Sequence, residues 1–112
     1  MLVLDSGRSI RANHSVAFPS RLLFLDTETL PYQVNASVVH KFHLGWTRFV
    51  DLGAELVIRR DIWKSWNSAR ELCSYIDSRV TEKSAVYLFT HNAFFDLQAI
   101  GFFQYFAKRL WT

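Results

Sequence analysis

The sequence predicts an α/β domain built on a mixed β-sheet, and three observations carry that expectation. Two short runs, Leu22-Leu23-Phe24-Leu25 and Ala85-Val86-Tyr87-Leu88-Phe89, are apolar throughout, as central strands covered on both faces are. Val38 to Phe49, between them, alternates as a half-buried strand does. Asp61 to Arg79 places Ile62, Trp66, Ala69, Leu72, Cys73 and Ile76 at spacings of three and four, which makes one helical stripe.

The elements follow in order. Residues 1–20 read as an arm: Asp5, Ser6, Gly7, Ser9, Asn13, Ser15 and Pro19 break any period, with room for a short strand at Leu2–Leu4. Residues 21–112 form the domain. The first central strand starts at Leu22 and ends at Leu30-Pro31, because proline donates no hydrogen bond to a ladder. In the second strand Phe42, Leu44 and Trp46 share one face, and Lys41, His43, Gly45 and Thr47 the other. Asp51-Leu52-Gly53 is a turn, and Glu55–Arg59 returns as a third strand. Asp61 then caps the helix, and Ala85–Phe89 is the fourth strand. A last helix runs from Asn92 or Ala93 toward Leu110. Phe95, Phe102, Phe103, Tyr105, Phe106 and Trp111 make it apolar on most sides, as in a helix held between two layers. Three meandering strands followed by a crossover helix place the first and fourth strands parallel and adjacent. Sites in open α/β sheets lie beyond the carboxyl ends of such strands.

Composition narrows the class. The chain has 112 residues, 50% of them hydrophobic, 16% aromatic and 21% charged, which excludes disordered, collagenous and coiled-coil chains and leaves one small domain. A net charge of +3 with scattered arginines (Arg48, Arg59, Arg60, Arg70, Arg79) permits a phosphate-binding face without being a basic tail. The single cysteine, Cys73, rules out an internal disulfide and a multi-cysteine zinc site. It sits on the helical stripe as a packing residue, and a reducing cytoplasm is expected. No apolar run reaches the roughly 18 residues of a membrane span, and Asp5 interrupts Met1–Leu4 before any signal peptide forms, so no membrane association is expected.

The chemistry gathers at two strand ends. Asp26 and Glu28, in Phe24-Leu25-Asp26-Thr27-Glu28-Thr29, project to one side of a strand of period two. Two acids beside an apolar strand are costly to bury unless compensated, and a hard divalent cation compensates them. As ordinary turn acids they need no cation. The fourth strand ends in Thr90-His91-Asn92-Ala93-Phe94-Phe95-Asp96. Asn92 is either a helix N-cap or a ligand-contacting amide, and Asp96 stands in the first turn, where its charge suits the helix dipole. Three carboxylates on two adjacent parallel strands are expected to converge. Such a group can hold two ions roughly 3.5–4 Å apart for an in-line phosphoryl displacement. His91, His40 and His43 read as structural or solvent-facing, and Arg59-Arg60 as a solvated strand end. No base-stacking platform is identifiable from the sequence.

Phe24-Leu25-Asp26-Thr27-Glu28-Thr29 resembles the first motif, Asp-x-Glu, of the DEDD superfamily of 3′–5′ exonucleases. His91-Asn92-Ala93-Phe94-Phe95-Asp96 resembles its second, Asn-x-x-Phe-Asp. The likeness spans about residues 21–110, including the order of strands and helices. It implies a ribonuclease-H-like fold and metal-dependent removal of nucleotides from a DNA or RNA 3′ end. Asp26, Glu28 and Asp96 would be catalytic carboxylates binding Mg2+ or Mn2+. Thr27, Thr29 and Leu30 would line the terminal-nucleotide pocket, with Asn92 beside the site and Phe95 packing beneath the metals.

The family's third motif supplies a fourth carboxylate and a histidine or tyrosine general base. No aspartate, glutamate or histidine follows Asp96, and no acid follows Tyr105. The sheet is therefore expected to be incomplete at its C-terminal end, the chain to be a truncated exonuclease domain, and its activity alone to be weak or nil. The alternative is an inactive ribonuclease-H-like module that binds single-stranded nucleic acid or a protein through exposed aromatics. A ribonuclease H or transposase core fits less well, because Asn-x-x-Phe-Asp follows the fourth strand.

Overall fold

The computed structural model describes residues 2–4, 10–12, 20–80 and 85–107. Its strands are β1 (Leu2–Leu4), β2 (Ile10–Ala12), β3 (Arg21–Val34), β4 (Ser37–Leu52), β5 (Ile58–Trp66) and β6 (Val86–Thr90). The helices are α1 (Ala69–Arg79), α2 (Ala93–Ala99) and α3 (Phe102–Tyr105). The sheet runs β2-β1-β6-β3-β4-β5. Among the described residues only the β3–β6 ladder is parallel, with Leu22 to Leu25 opposite Tyr87 to Thr90; the other neighbours are antiparallel. The expected mixed sheet with adjacent parallel central strands is present. The expected arm contributes two strands of its own, which extend the sheet beyond β6.

The helices lie on one face. Leu23 and Leu25 of β3, Phe49 of β4, and Val86 and Leu88 of β6 meet Leu72, Cys73 and Ile76 of α1. Leu97 of α2, Ile100, Phe102 and Phe106 complete this core. The expectation of strands covered on both faces fails here. Leu23 and Leu25 of β3 and Val86 and Leu88 of β6 are buried, while Phe24 between Leu23 and Leu25 keeps 39% of its surface exposed. Among the described residues the opposite face of the central sheet carries no helix.

Several boundaries differ from the sequence expectation. β3 continues through Pro31 to Val34. Beyond Leu25 it has lost β6 and pairs only with β4, so it becomes one edge of a two-stranded ribbon, where a missing N–H is tolerated. In that ribbon Glu28 opposes Leu44 and Thr29 opposes Phe42, which leaves His43 as an extra residue. A bulge of this kind exchanges the faces on either side of it. Phe42 packs toward the core, Gly45, Thr47 and Phe49 continue that buried face, and Trp46 points away. The predicted grouping of Phe42 with Trp46 is therefore wrong.

The helix expected from Asp61 begins eight residues later. Ile62 and Trp66 are four apart, which satisfies a helical stripe and equally the same face of a strand. Here they lie on β5 and pack against the core. The Trp66 indole N–H donates to Thr47 Oγ1 (2.9 Å), and its ring meets Tyr75 of α1. Asp61 caps nothing and pairs with Arg48 across the strands. The true cap is Ser68, whose hydroxyl accepts from the Glu71 N–H at 3.2 Å. The predicted third strand at Glu55–Arg59 is displaced too: Ala54–Leu56 forms a 3-10 turn with Glu55 and Leu56 at positive φ. The last helix is broken at Gly101, whose φ of +69° ends α2 before α3 starts. Its expected continuation to Leu110 lies outside the described residues.

Candidate functional site

The two motifs meet where β6 stops pairing with β3. The ladder ends at Leu25 opposite Thr90, so Asp26 is the first β3 residue past it, and α2 begins three residues after Thr90. Alternation along β3 then divides the first motif. Asp26 and Glu28 continue the exposed face of Phe24, while Thr27 follows Leu23 and Leu25 onto the face that the helices cover.

Thr27 joins the motifs. Its hydroxyl donates to Asp96 Oδ1 at 2.6 Å, and the Asn92 N–H donates to Asp96 Oδ2 at 3.2 Å. Asp96 is only 3% exposed, and these two donors satisfy its buried carboxylate. Asn92 is the N-cap of α2: its side-chain oxygen accepts from the Phe95 N–H at 3.3 Å. Of its two sequence readings, the cap is thus directly visible. Asp26 Oδ1 accepts from the Thr27 N–H at 3.1 Å.

The donor chemistry of this set bears on a metal. Asp26 and Glu28 are solvent-facing carboxylates on one face of one strand, a pair that suits a hard cation keeping several waters. Asp96 lies on the covered side with both oxygens already engaged. Among the described residues no three His, Cys, Asp or Glu side chains are grouped to hold an ion. The residues as placed divide between the two faces, with Asp26 and Glu28 on one and Asp96 on the other. They do not assemble the three-carboxylate, two-ion arrangement expected from the sequence.

The remaining motif residues line two clefts. Thr29 and Phe95 border a cleft of about 740 Å³ between the β3–β4 ribbon and α2, together with Tyr32, His40 and Lys41. Phe95 there is half-exposed at the surface and meets the His40 ring edge-on at 6.2 Å. His40 Nδ1 and Thr29 Oγ1 lie 3.3 Å apart. Leu30 borders a smaller recess with Pro31 and Phe42. Sequence reasoning had left His40 and Lys41 out of the site. Only the cross-strand register, with Pro31 opposite His40 and Leu30 opposite Lys41, brings them to it.

No protein-family model matches the chain, and neither a curated protein nor a solved structure shows significant similarity to it. Among the described residues no helix is long and apolar enough to cross a membrane.

Proposed function

We propose that the chain is a metal-dependent 3′–5′ exonuclease domain of the DEDD type, hydrolysing phosphodiester bonds at DNA or RNA 3′ ends. The observation that carries this reading is the Thr27–Asp96 hydrogen bond. It links the Asp-x-Glu segment to the Asn-x-x-Phe-Asp segment at the carboxyl ends of two adjacent parallel strands, the position where open α/β sheets carry their sites.

In this reading Asp26 and Glu28 provide oxygen ligands from the exposed face. A divalent cation, when bound, supplies Lewis-acid activation of water and of a phosphoryl oxygen. Thr27 holds Asp96 in place, and Asn92 fixes the start of its helix. Thr29, Phe95 and Lys41 border a separate cleft beside α2, which Asp26 and Glu28 do not line. The second reading, an inactive binding module of the same fold, is favoured by one observation: Asp96 is not grouped with Asp26 and Glu28 to hold an ion.

Calorimetric titration with Mn2+, alongside a 3′-labelled single-stranded oligonucleotide in a cleavage assay, separates the two. The exonuclease reading expects metal binding and slow, Mn2+-dependent shortening from the 3′ end, both lost in Asp26→Ala. A folded chain that binds no metal and leaves the oligonucleotide intact overturns it and leaves the binding module.

A further inference from the structure

The face of the sheet without helices holds the most organised exposed feature among the described residues. Four residues stand in one cross-strand row. Phe89 of β6 is opposite Phe24 of β3, Phe24 is opposite Arg48 of β4, and Arg48 is opposite Trp63 of β5. At the usual strand spacing the row is about 14 Å long. Phe24 and Phe89 stack with centroids 5.2 Å apart and planes 21° from parallel. Arg48 lies over the Trp63 ring at 4.9 Å. Two 2.8 Å hydrogen bonds from Arg48 to Asp61 fix the guanidinium. Trp46 stands in the next row, directly opposite Asp26. Together these side chains line an open cavity of about 440 Å³ that reaches Asp26 and His91.

We propose that this row is a stacking platform for the bases of a single-stranded nucleic acid. The inference deepens the exonuclease reading by naming the form of nucleic acid bound and the surface that holds it. The chemistry of the patch selects the occupant. Its apolar groups are aromatic rings, two of them stacked on each other with planes close to parallel, and its charged member is an arginine spread over a ring. Rings and guanidinium planes on a sheet are the surfaces on which unpaired bases stack, with little dependence on sequence. The exposure is concentrated in the rings, with Trp63 at 66% and Trp46 at 47%. The platform is also continuous with the proposed site, because Asp26 lines the same cavity. A strand lying along the row passes beside Asp26, two residues along β3 from Phe24.

The test is binding of a fluorescein-labelled oligothymidylate to the full chain in EDTA at low salt, read by anisotropy and by quenching of tryptophan emission. An abasic oligomer of equal length and charge serves as the comparison. The expected result is binding and quenching by the thymidylate, with the abasic strand much weaker. Phe24→Ala and Trp63→Ala should each weaken binding about tenfold, and Trp63→Phe should restore most of it. Equal binding of the two oligomers by the native chain overturns the platform, and that comparison needs no variant to fold. So does an absence of binding by the folded chain. A dimer in sedimentation that Trp63→Ala dissociates, without oligonucleotide binding, assigns the face to a second copy instead. Because the assay contains no metal, it reads the platform independently of the carboxylate site. Failure of Mn2+ binding and failure of stacking are therefore separate results.

Discussion

Thr27 Oγ1 and Asp96 Oδ1 lie 2.6 Å apart, joining the strand after the parallel ladder to the first turn of α2. The bond is made beneath the helices, and Asp96 has lost nearly all contact with solvent. A charged acceptor there depends on its donors. Thr27→Val keeps the shape and removes the hydroxyl, so one carboxylate oxygen loses its side-chain partner. The expected cost is about 1–3 kcal/mol, read as a lower urea midpoint with an unchanged slope. Thr27→Ser should recover most of it. A Thr27→Val variant as stable as the parent would show that Asp96 finds other donors.

The division of the carboxylates between the two faces predicts unequal effects on metal binding. Asp26→Asn and Glu28→Gln alter the exposed pair and should each reduce Mn2+ affinity without changing the unfolding free energy by more than about 0.5 kcal/mol. Asp96→Asn should do the reverse, lowering stability and leaving Mn2+ affinity nearly intact. Calorimetry and urea denaturation on the three variants check the pattern. Equal loss of metal affinity in all three would mean that Asp96 turns from Thr27 to the ion when metal binds.

Much of this frame was legible in the sequence. The apolar runs at 22–25 and 85–89 marked the two central strands, and their parallel pairing followed from the helix between them. The Asp-x-Glu and Asn-x-x-Phe-Asp segments were found at the same end of the sheet. What failed did so for physical reasons. Ile62 and Trp66 fit either a helix or a strand, and the Ser68 cap with Glu71 three residues later was the better signal for the start of α1. The bulge at His43 exchanged the faces of β4, and no local pattern announces an extra residue. The division of Asp26 and Glu28 from Asp96 was hidden for a related reason. Period two places the first pair together, but which face they share depends on where the helices pack. The aromatic row was hidden as well, since Phe24, Arg48, Trp63 and Phe89 become neighbours only through register.

Arg48 and Asp61 give a pH-dependent signal on the open face. Arg48 hydrogen-bonds the Asp61 carboxylate and holds its pKa below the ordinary aspartate value, and the same bond raises that of Arg48. The folded pKa of Asp61 lies below the unfolded one. Its stabilising contribution is therefore fully present above about pH 4 and is lost as pH falls through the folded value. Both side chains are solvent-accessible, so the effect on global stability is small. Carboxyl-carbon NMR should place the Asp61 midpoint below that of an unpaired aspartate, and Arg48→Ala should move it up. An unmoved midpoint would mean that the pair does not form in solution. The same variant should loosen Trp63, seen as a red shift of its emission.

Cys73 supplies a probe of the core that is independent of any function. Its thiol donates to the Ile100 carbonyl at 3.4 Å, and burial pushes its pKa up to about 12. Thiolate is the reactive form, so the native chain should be nearly inert to a disulfide reagent at pH 8. Unfolding in urea should release one fast-reacting thiol. The folded pKa lies above the unfolded value, so stability from this group is present below about pH 8.5 and declines as the unfolded thiol ionises. Cys73→Ser places a stronger hydrogen-bonding group in the same apolar surroundings and should lower stability, while Cys73→Ala leaves a small void. The rate of native labelling against urea concentration measures the opening of α1 from the turn at Ile100. If labelling at pH 8 is fast without urea, α1 and the segment after α2 do not pack together as the Sγ contact requires.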